Sequence, residues 1–141
     1  MTGEQQSSQL HHVVFAVATD RHATVAKMFT ELGFTFNTAE LTELGVTVAL
    51  DWDRGIELIS PIIGSTATVA TSVNEFLDRY GDGVYTVVLR VPEAAHAESV
   101  AERYGSTVRF RQSFDGEGSY LHEIDLSVFG LPLTLLGTNI S

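Results

Sequence analysis

Leu10-His11-His12-Val13-Val14-Phe15-Ala16-Val17 and Val84-Tyr85-Thr86-Val87-Val88-Leu89-Arg90-Val91 are the two stretches whose reading decides the fold. Both are apolar and rich in β-branched residues, so each reads as a strand. Each precedes a helix-like stretch, residues 23–32 and 94–104, and each helix ends at a glycine, Gly33 or Gly105. Each half then closes with a β-rich pair, 46–51 with 56–60 in the first and 120–126 with 133–137 in the second. A repeat of this length predicts two copies of one β-α-β-β-β unit. The copies differ where chemistry would sit: His12 and Glu57 in the first align with Thr86 and Thr134 in the second.

Local signals fill in the rest. Asp20 stands where an N-cap belongs, and Val25, Met28, Phe29 and Leu32 recur at helical spacing. Phe34-Thr35-Phe36 reads as a short strand, and a further strand runs from Val46 to Trp52. Asp53-Arg54-Gly55 is a tight turn into Ile56-Glu57-Leu58-Ile59-Ser60, which Pro61 ends. Ser72 with Glu75 forms a capping-box pattern for a short linking helix striped by Val73, Phe76, Leu77 and Tyr80. In the second copy Pro92 and Glu93 open the helix, and strands follow over 108–112 and 120–126, joined by Asp115-Gly116-Glu117-Gly118. The expected organisation is a flexible tail over 1–9 and one domain over 10–141. Within that domain, module one covers about 10–61, a linker helix lies in 62–82, and module two covers about 83–138.

Composition narrows the function. The chain has 141 residues, 44% of them hydrophobic, enough for a real core. Its formal net charge of -10, from 18 acidic and 8 scattered basic residues, gives no pull toward phosphate backbones or anionic lipid. Nucleic acid and membrane are therefore not expected partners. With no cysteine there is no disulfide or thiolate chemistry. The first nine residues lack an apolar signal core, so a cytoplasmic location is the default expectation.

In Leu10-His11-His12-Val13, Gly55-Ile56-Glu57-Leu58-Ile59-Ser60-Pro61, and Ser72-Val73-Asn74-Glu75-Phe76-Leu77 followed by Gly81-Asp82-Gly83-Val84, the chain resembles the vicinal oxygen chelate superfamily. That superfamily holds glyoxalase I, bleomycin-resistance proteins, extradiol dioxygenases and methylmalonyl-CoA epimerase, and the pattern is most similar to the epimerase-like branch. The resemblance implies an α+β, glyoxalase-like fold: two tandem βαβββ modules forming one curved mixed sheet around a cleft. It also implies a homodimer and a small organic ligand or substrate. In metal-using members, residues of the first and last strands of each half converge on one divalent ion. His12 and Glu57 fall on the first-module ligand positions. Thr86 and Thr134 stand in the second module, where similar epimerases carry His and Glu. Threonine is a poor neutral ligand, so no tightly bound metal is expected, while weak divalent binding through His12 and Glu57 stays open.

A His and a carboxylate on adjacent strands suit general acid–base work. Catalysis, ligand binding without chemistry, and metal binding all remain open for this pair. The expected function is a small-molecule isomerase, epimerase or lyase that transfers a proton next to a carbonyl. His12 would be base or acid, Glu57 its orienting partner, and Thr86 and Thr134 donors to substrate oxygen. The alternative is a sequestration or resistance protein that binds a small molecule without chemistry. His122, Arg90 and Trp52 are further candidates for substrate contact, whereas His11, His22 and His96 read as structural or solvated.

Overall fold

Apolar residues alternate along the opening stretch, and the computed structural model, which describes residues 7–140, makes it a strand. In β1 (Gln9–Ala16), His12, Val14 and Ala16 are buried while His11, Val13 and Phe15 are half-buried. A single 3-10 turn, Thr19–Arg21, leads into α1 (His22–Glu31). The strands β2 (Asn37–Leu41), β3 (Val46–Asp51) and β4 (Ile56–Pro61) follow, then α2 (Thr68–Tyr80). The second copy comprises β5 (Gly83–Arg90), α3 (Ala94–Glu102), β6 (Thr107–Gly116), β7 (Ser119–Val128) and β8 (Leu131–Thr138). Of the tail expected over 1–9, residues 1–6 lie outside the described residues, and Gln9 already belongs to β1.

The chain divides into two compact units, one spanning His12–Tyr85 and the other containing Thr86 onward. In the first, the strands lie in the order β2-β3-β4-β1, with antiparallel β2–β3 and β3–β4 pairs and a parallel β4–β1 pair. In the second, the order is β6-β7-β8-β5, again with two antiparallel pairs and a parallel β8–β5 pair. The βαβββ repeat and the α+β class read from the sequence are thus present in each unit.

One face of each sheet is covered by the helix that follows its first strand. Val25, Ala26 and Phe29 of α1 pack with Phe15, Val17, Ala49, Leu58 and Phe36. Ala94, Ala97 and Ala101 of α3 pack with Ile124, Leu126, Leu135 and their neighbours. Strand alternation therefore sends His12, Val14, Glu57 and Ile59 to the other face in the first unit, and Thr86, Val88 and Thr134 to the other face in the second.

Several local expectations are corrected. Phe34-Thr35-Phe36 is not a strand; the strand is β2, beginning at Asn37. The Phe34 and Phe36 rings pack edge-on against Phe29, at 5.7 and 6.2 Å, and the Thr35 N–H donates to the buried Asp51 carboxylate at 2.9 Å. These tertiary contacts occupy the groups a strand would use. Asp20 is not an N-cap: it lies in the 3-10 turn, and α1 begins after Arg21 with no side-chain cap. Ser72 does not cap α2, which begins at Thr68; its hydroxyl instead meets the Tyr85 hydroxyl at 2.5 Å. Gly45, between β2 and β3, must be glycine. Its φ is +74°, and a Cβ there would fall 2.1 Å from Ser65 Oγ.

Candidate functional site

The parallel pairing of β1 with β4 puts Val14 opposite Glu57. His12, two positions before Val14 on the same face, reaches diagonally to that carboxylate, and its Nε2 lies 2.9 Å from Glu57 Oε1. The His12 side chain is 4% exposed and that of Glu57 17%, so the pair is withdrawn from water with its carboxylate on the open side. Val14, Ala16 and Ile59 surround it on the same face and are buried. A carboxylate accepts, so in the neutral ring the Nε2–H is the donor to Glu57. Trp52, in the turn after β3, brings its ring to 6.3 Å from that of His12, tilted by 39°.

Module two repeats this register with different chemistry. The parallel β5–β8 pairing puts Val88 opposite Thr134. Thr86, two positions before Val88, lies diagonal to Thr134, and their hydroxyl oxygens are 3.0 Å apart. Thr86 and Thr134 therefore occupy, within their module, the positions that His12 and Glu57 occupy in theirs. Both threonines are buried.

Asp125 joins this pair and was not singled out from the sequence. It sits on β7 directly opposite Thr134. Arg109 donates to the same carboxylate through Nε, at 3.1 Å, and through Nη2. Burial pushes the Asp125 carboxyl above its ordinary pKa, and the Arg109 charge pulls against that shift. The corresponding place in module one, opposite Glu57 on β3, is Leu50. The one signal that would have found Asp125 is strand parity, since it shares a face with Thr134 once the β7–β8 register is known.

The other candidates are placed as follows. Arg90 shares the face of Thr86 but directs its guanidinium to the Thr138 carbonyl, donating at 2.9 Å. His122 has the parity of Ile124 and Leu126, the α3-covered face, and not that of Thr134. Its ring meets Asp115 at 3.1 Å and the Tyr120 ring at 5.3 Å, so it is not brought to the threonine pair. His96 is exposed on α3, as expected.

His22 was expected to be solvated and is instead half-buried. The Ser60 hydroxyl gives its single proton to the Val17 carbonyl at 2.6 Å, so the 2.7 Å contact with His22 must have Nδ1–H as donor. Nε2 is then a buried lone pair without a partner. Burial holds this ring below its ordinary pKa of 6.5. The unfolded ring takes up a proton near that ordinary value while the folded ring does not. The stability the neutral ring contributes is therefore full above the unfolded pKa and is lost as pH falls through the lower folded value. As pH falls below the ordinary value of 6.5, the thermal midpoint should drop more steeply for the parent than for His22→Gln. Parallel pH profiles would refute this.

Comparison with known proteins agrees with this architecture. No family model matches the chain, and no curated protein matches it. Solved structures do. A hypothetical protein from Bacillus halodurans C-125 superposes with a TM-score of 0.68 at 17% identity, covering 96% of this chain and 97% of that one. Methylmalonyl-CoA epimerase from Mycobacterium tuberculosis gives a TM-score of 0.62 at 21% identity, over 92% of this chain and 87% of the other. A variant of the Streptomyces coelicolor methylmalonyl-CoA epimerase, in complex with 2-nitronate-propionyl-CoA, gives 0.64 at 21% identity, over 94% and 98%. At such identities the likeness is one of fold.

The divalent ion used by metal-dependent members of that fold does not fit the residues here. Among the described residues no group of three or more His, Cys, Asp or Glu could hold a metal ion. Module one offers one imidazole and one carboxylate, already bonded to each other, and module two offers two neutral hydroxyls at the equivalent positions. No helix among the described residues is long and apolar enough to cross a membrane. Over nearly its whole length, the chain has a glyoxalase-like fold, the fold of the methylmalonyl-CoA epimerases on which it superposes.

Proposed function

We propose that this protein is an isomerase, epimerase or lyase that moves a proton on the carbon next to a carbonyl, without a tightly bound metal. The observation that carries the proposal is the His12–Glu57 hydrogen bond, 2.9 Å long, on the sheet face that α1 leaves uncovered. Glu57 holds the Nε2–H and fixes the ring. His12 takes the proton as the C–H bond breaks, and the electron pair of that bond passes into the carbonyl as an enolate. Return of the proton from His12 to the neighbouring carbon completes an isomerisation, and an epimerisation requires the planar enolate to be reprotonated on its opposite face, from solvent or after it turns over beside His12. The half-dry setting favours this division of labour, because a charge pair formed there is screened less than in water. Acyl-CoA thioesters are the first substrates to test, since structural neighbours bind methylmalonyl-CoA and 2-nitronate-propionyl-CoA.

The test is deuterium exchange at C2 of methylmalonyl-CoA, and of a panel of acyl-CoA thioesters and 2-oxo acids, in heavy water. Enzyme-dependent exchange that His12→Ala abolishes supports the reading. Tight binding without exchange across the panel would replace it with a sequestration role.

The same reading expects untreated, gel-filtered protein to hold far less than one divalent ion per chain by elemental analysis. One ion per chain would contradict it. The double variant Thr86→His with Thr134→Glu installs in module two the side-chain pair that module one presents through the same register. Calorimetric titration with zinc should show binding by that variant where the parent shows none.

A further inference from the structure

Among the described residues, β6 pairs with β7 and with no other strand. Residues 111–118 along this edge are all exposed. The direction of its backbone groups follows from the far side of β7. The Tyr120 N–H donates to Asn139 Oδ1 at 2.9 Å, and the Tyr120 carbonyl accepts from the Thr138 hydroxyl at 2.6 Å. Thr138 ends β8, so both backbone groups of Tyr120 point away from β6. Asp115, which faces Tyr120, is therefore in a pair without backbone hydrogen bonds, and its own N–H and C=O point to the open edge. The register runs without a shift from Phe110 to Gly116, so Ser113 and Arg111 turn their backbone groups outward too.

The side chains of these three residues share the face of Ile124, the face that α3 covers. Arg111 gives two of its donors to Glu98 and, with five in all, keeps others. Asp115 meets His122 at 3.1 Å and is otherwise open to water, its side chain 72% exposed. Opposite charges thus stand two residues to either side of Ser113. An antiparallel copy of the strand, centred on Ser113, meets Arg111 with Asp115 at both ends. Centring on Arg111 or on Asp115 would set like charges face to face, and centring on Gln112 would leave Arg111 opposite Ser113. The edge strand of the other unit, β2, has Glu40 as its one charged residue and no base to offer a copy.

We propose that two copies of this chain associate through β6, antiparallel about Ser113, and join their β6-β7-β8-β5 sheets edge to edge. Arg111 pairs with Asp115 of the second copy, Ser113 faces Ser113, and each facing pair exchanges its outward N–H···O=C bonds. A two-fold contact of this kind uses the open edge of both molecules, so it closes at a dimer and removes the hazard that an open ten-residue strand presents. It is independent of the His12–Glu57 reading, because its test reads mass and no turnover.

Light scattering on the full-length parent should give a mass that rises toward twice the 15.3 kDa of the chain as concentration increases. Asp115→Arg sets arginines opposite Arg111 and should raise the apparent dissociation constant by about tenfold or more, since attraction becomes repulsion at both ends of the contact. Arg111→Asp should act likewise by setting carboxylates opposite Asp115. Mixed in equal amounts, these two variants carry complementary edges, and the doubled mass should return. Ser113→Pro removes an outward N–H that β7 does not use, so the fold is kept and the association is lost. Asp115 is exposed enough for Asp115→Arg to decide alone if either of the other variants does not fold. The proposal is overturned if the parent stays at 15.3 kDa at every concentration. It is equally overturned if Asp115→Arg or folded Ser113→Pro associates as tightly as the parent, or if the mixture of folded variants does not recover the doubled mass.

Discussion

His12→Ala and Glu57→Gln are each expected to lower turnover by about 10²-fold or more, the usual scale of a positioned acid or base. The two substitutions act differently. His12→Ala removes the group that carries the proton and leaves the Glu57 carboxylate, 17% exposed, without its 2.9 Å partner. Some loss of stability should accompany the loss of rate, because a half-buried polar group deprived of its hydrogen bond is costly. Glu57→Gln keeps the shape and a hydrogen-bonding side chain but removes the charge that steadies a protonated His12. It should leave the fold and substrate affinity close to the parent while kcat falls. Comparing the two therefore separates chemistry from structure. A Glu57→Gln protein with parental kcat would show that the carboxylate only fills space beside the ring. If kcat is parental in both variants, the pair has no part in the reaction and the sequestration reading takes its place.

The dyad was legible because two independent signals agreed. Alternation in Leu10–Val17 and Ile56–Ser60 sets His12 with Val14 and Glu57 with Ile59, and the resemblance to the vicinal oxygen chelate superfamily falls on the same residues. The repeat itself was legible for the same reason, since a period of two along a half-buried strand leaves few alternatives. Asp125 was not legible. Along Tyr120-Leu121-His122-Glu123-Ile124-Asp125 both parities mix polar and apolar residues, so only the β7–β8 pairing shows that Asp125 stands opposite Thr134. Phe34 and Phe36 misled for another reason. An aromatic pair with one residue between reads as strand, yet these rings serve the Phe29 cluster beneath α1. Ser72 carried a helix-start signal but found a partner in Tyr85 from the middle of α2. In each case a tertiary partner far along the chain outweighed the local preference.

Leu126→Ala is expected to destabilise the protein by about 2–5 kcal/mol, a large share of the roughly 5–15 kcal/mol typical of a whole domain. Leu126 has no exposed surface and sits in the cluster with Val91, Ala94, Ile124 and Leu135 that fastens α3 to its sheet. The helix is only Ala94–Glu102, too short to hold its shape without tertiary support. Its other visible tie is the ion pair of Glu98 with Arg111, whose arginine side chain is 58% exposed. Water and salt weaken a pair in that position. The order of effects should therefore be steep: Leu126→Ala lowers the denaturation midpoint strongly, and Arg111→Ala lowers it little, with that small effect shrinking further in high salt. Equal losses from the two substitutions would mean that charge, and not burial, holds α3.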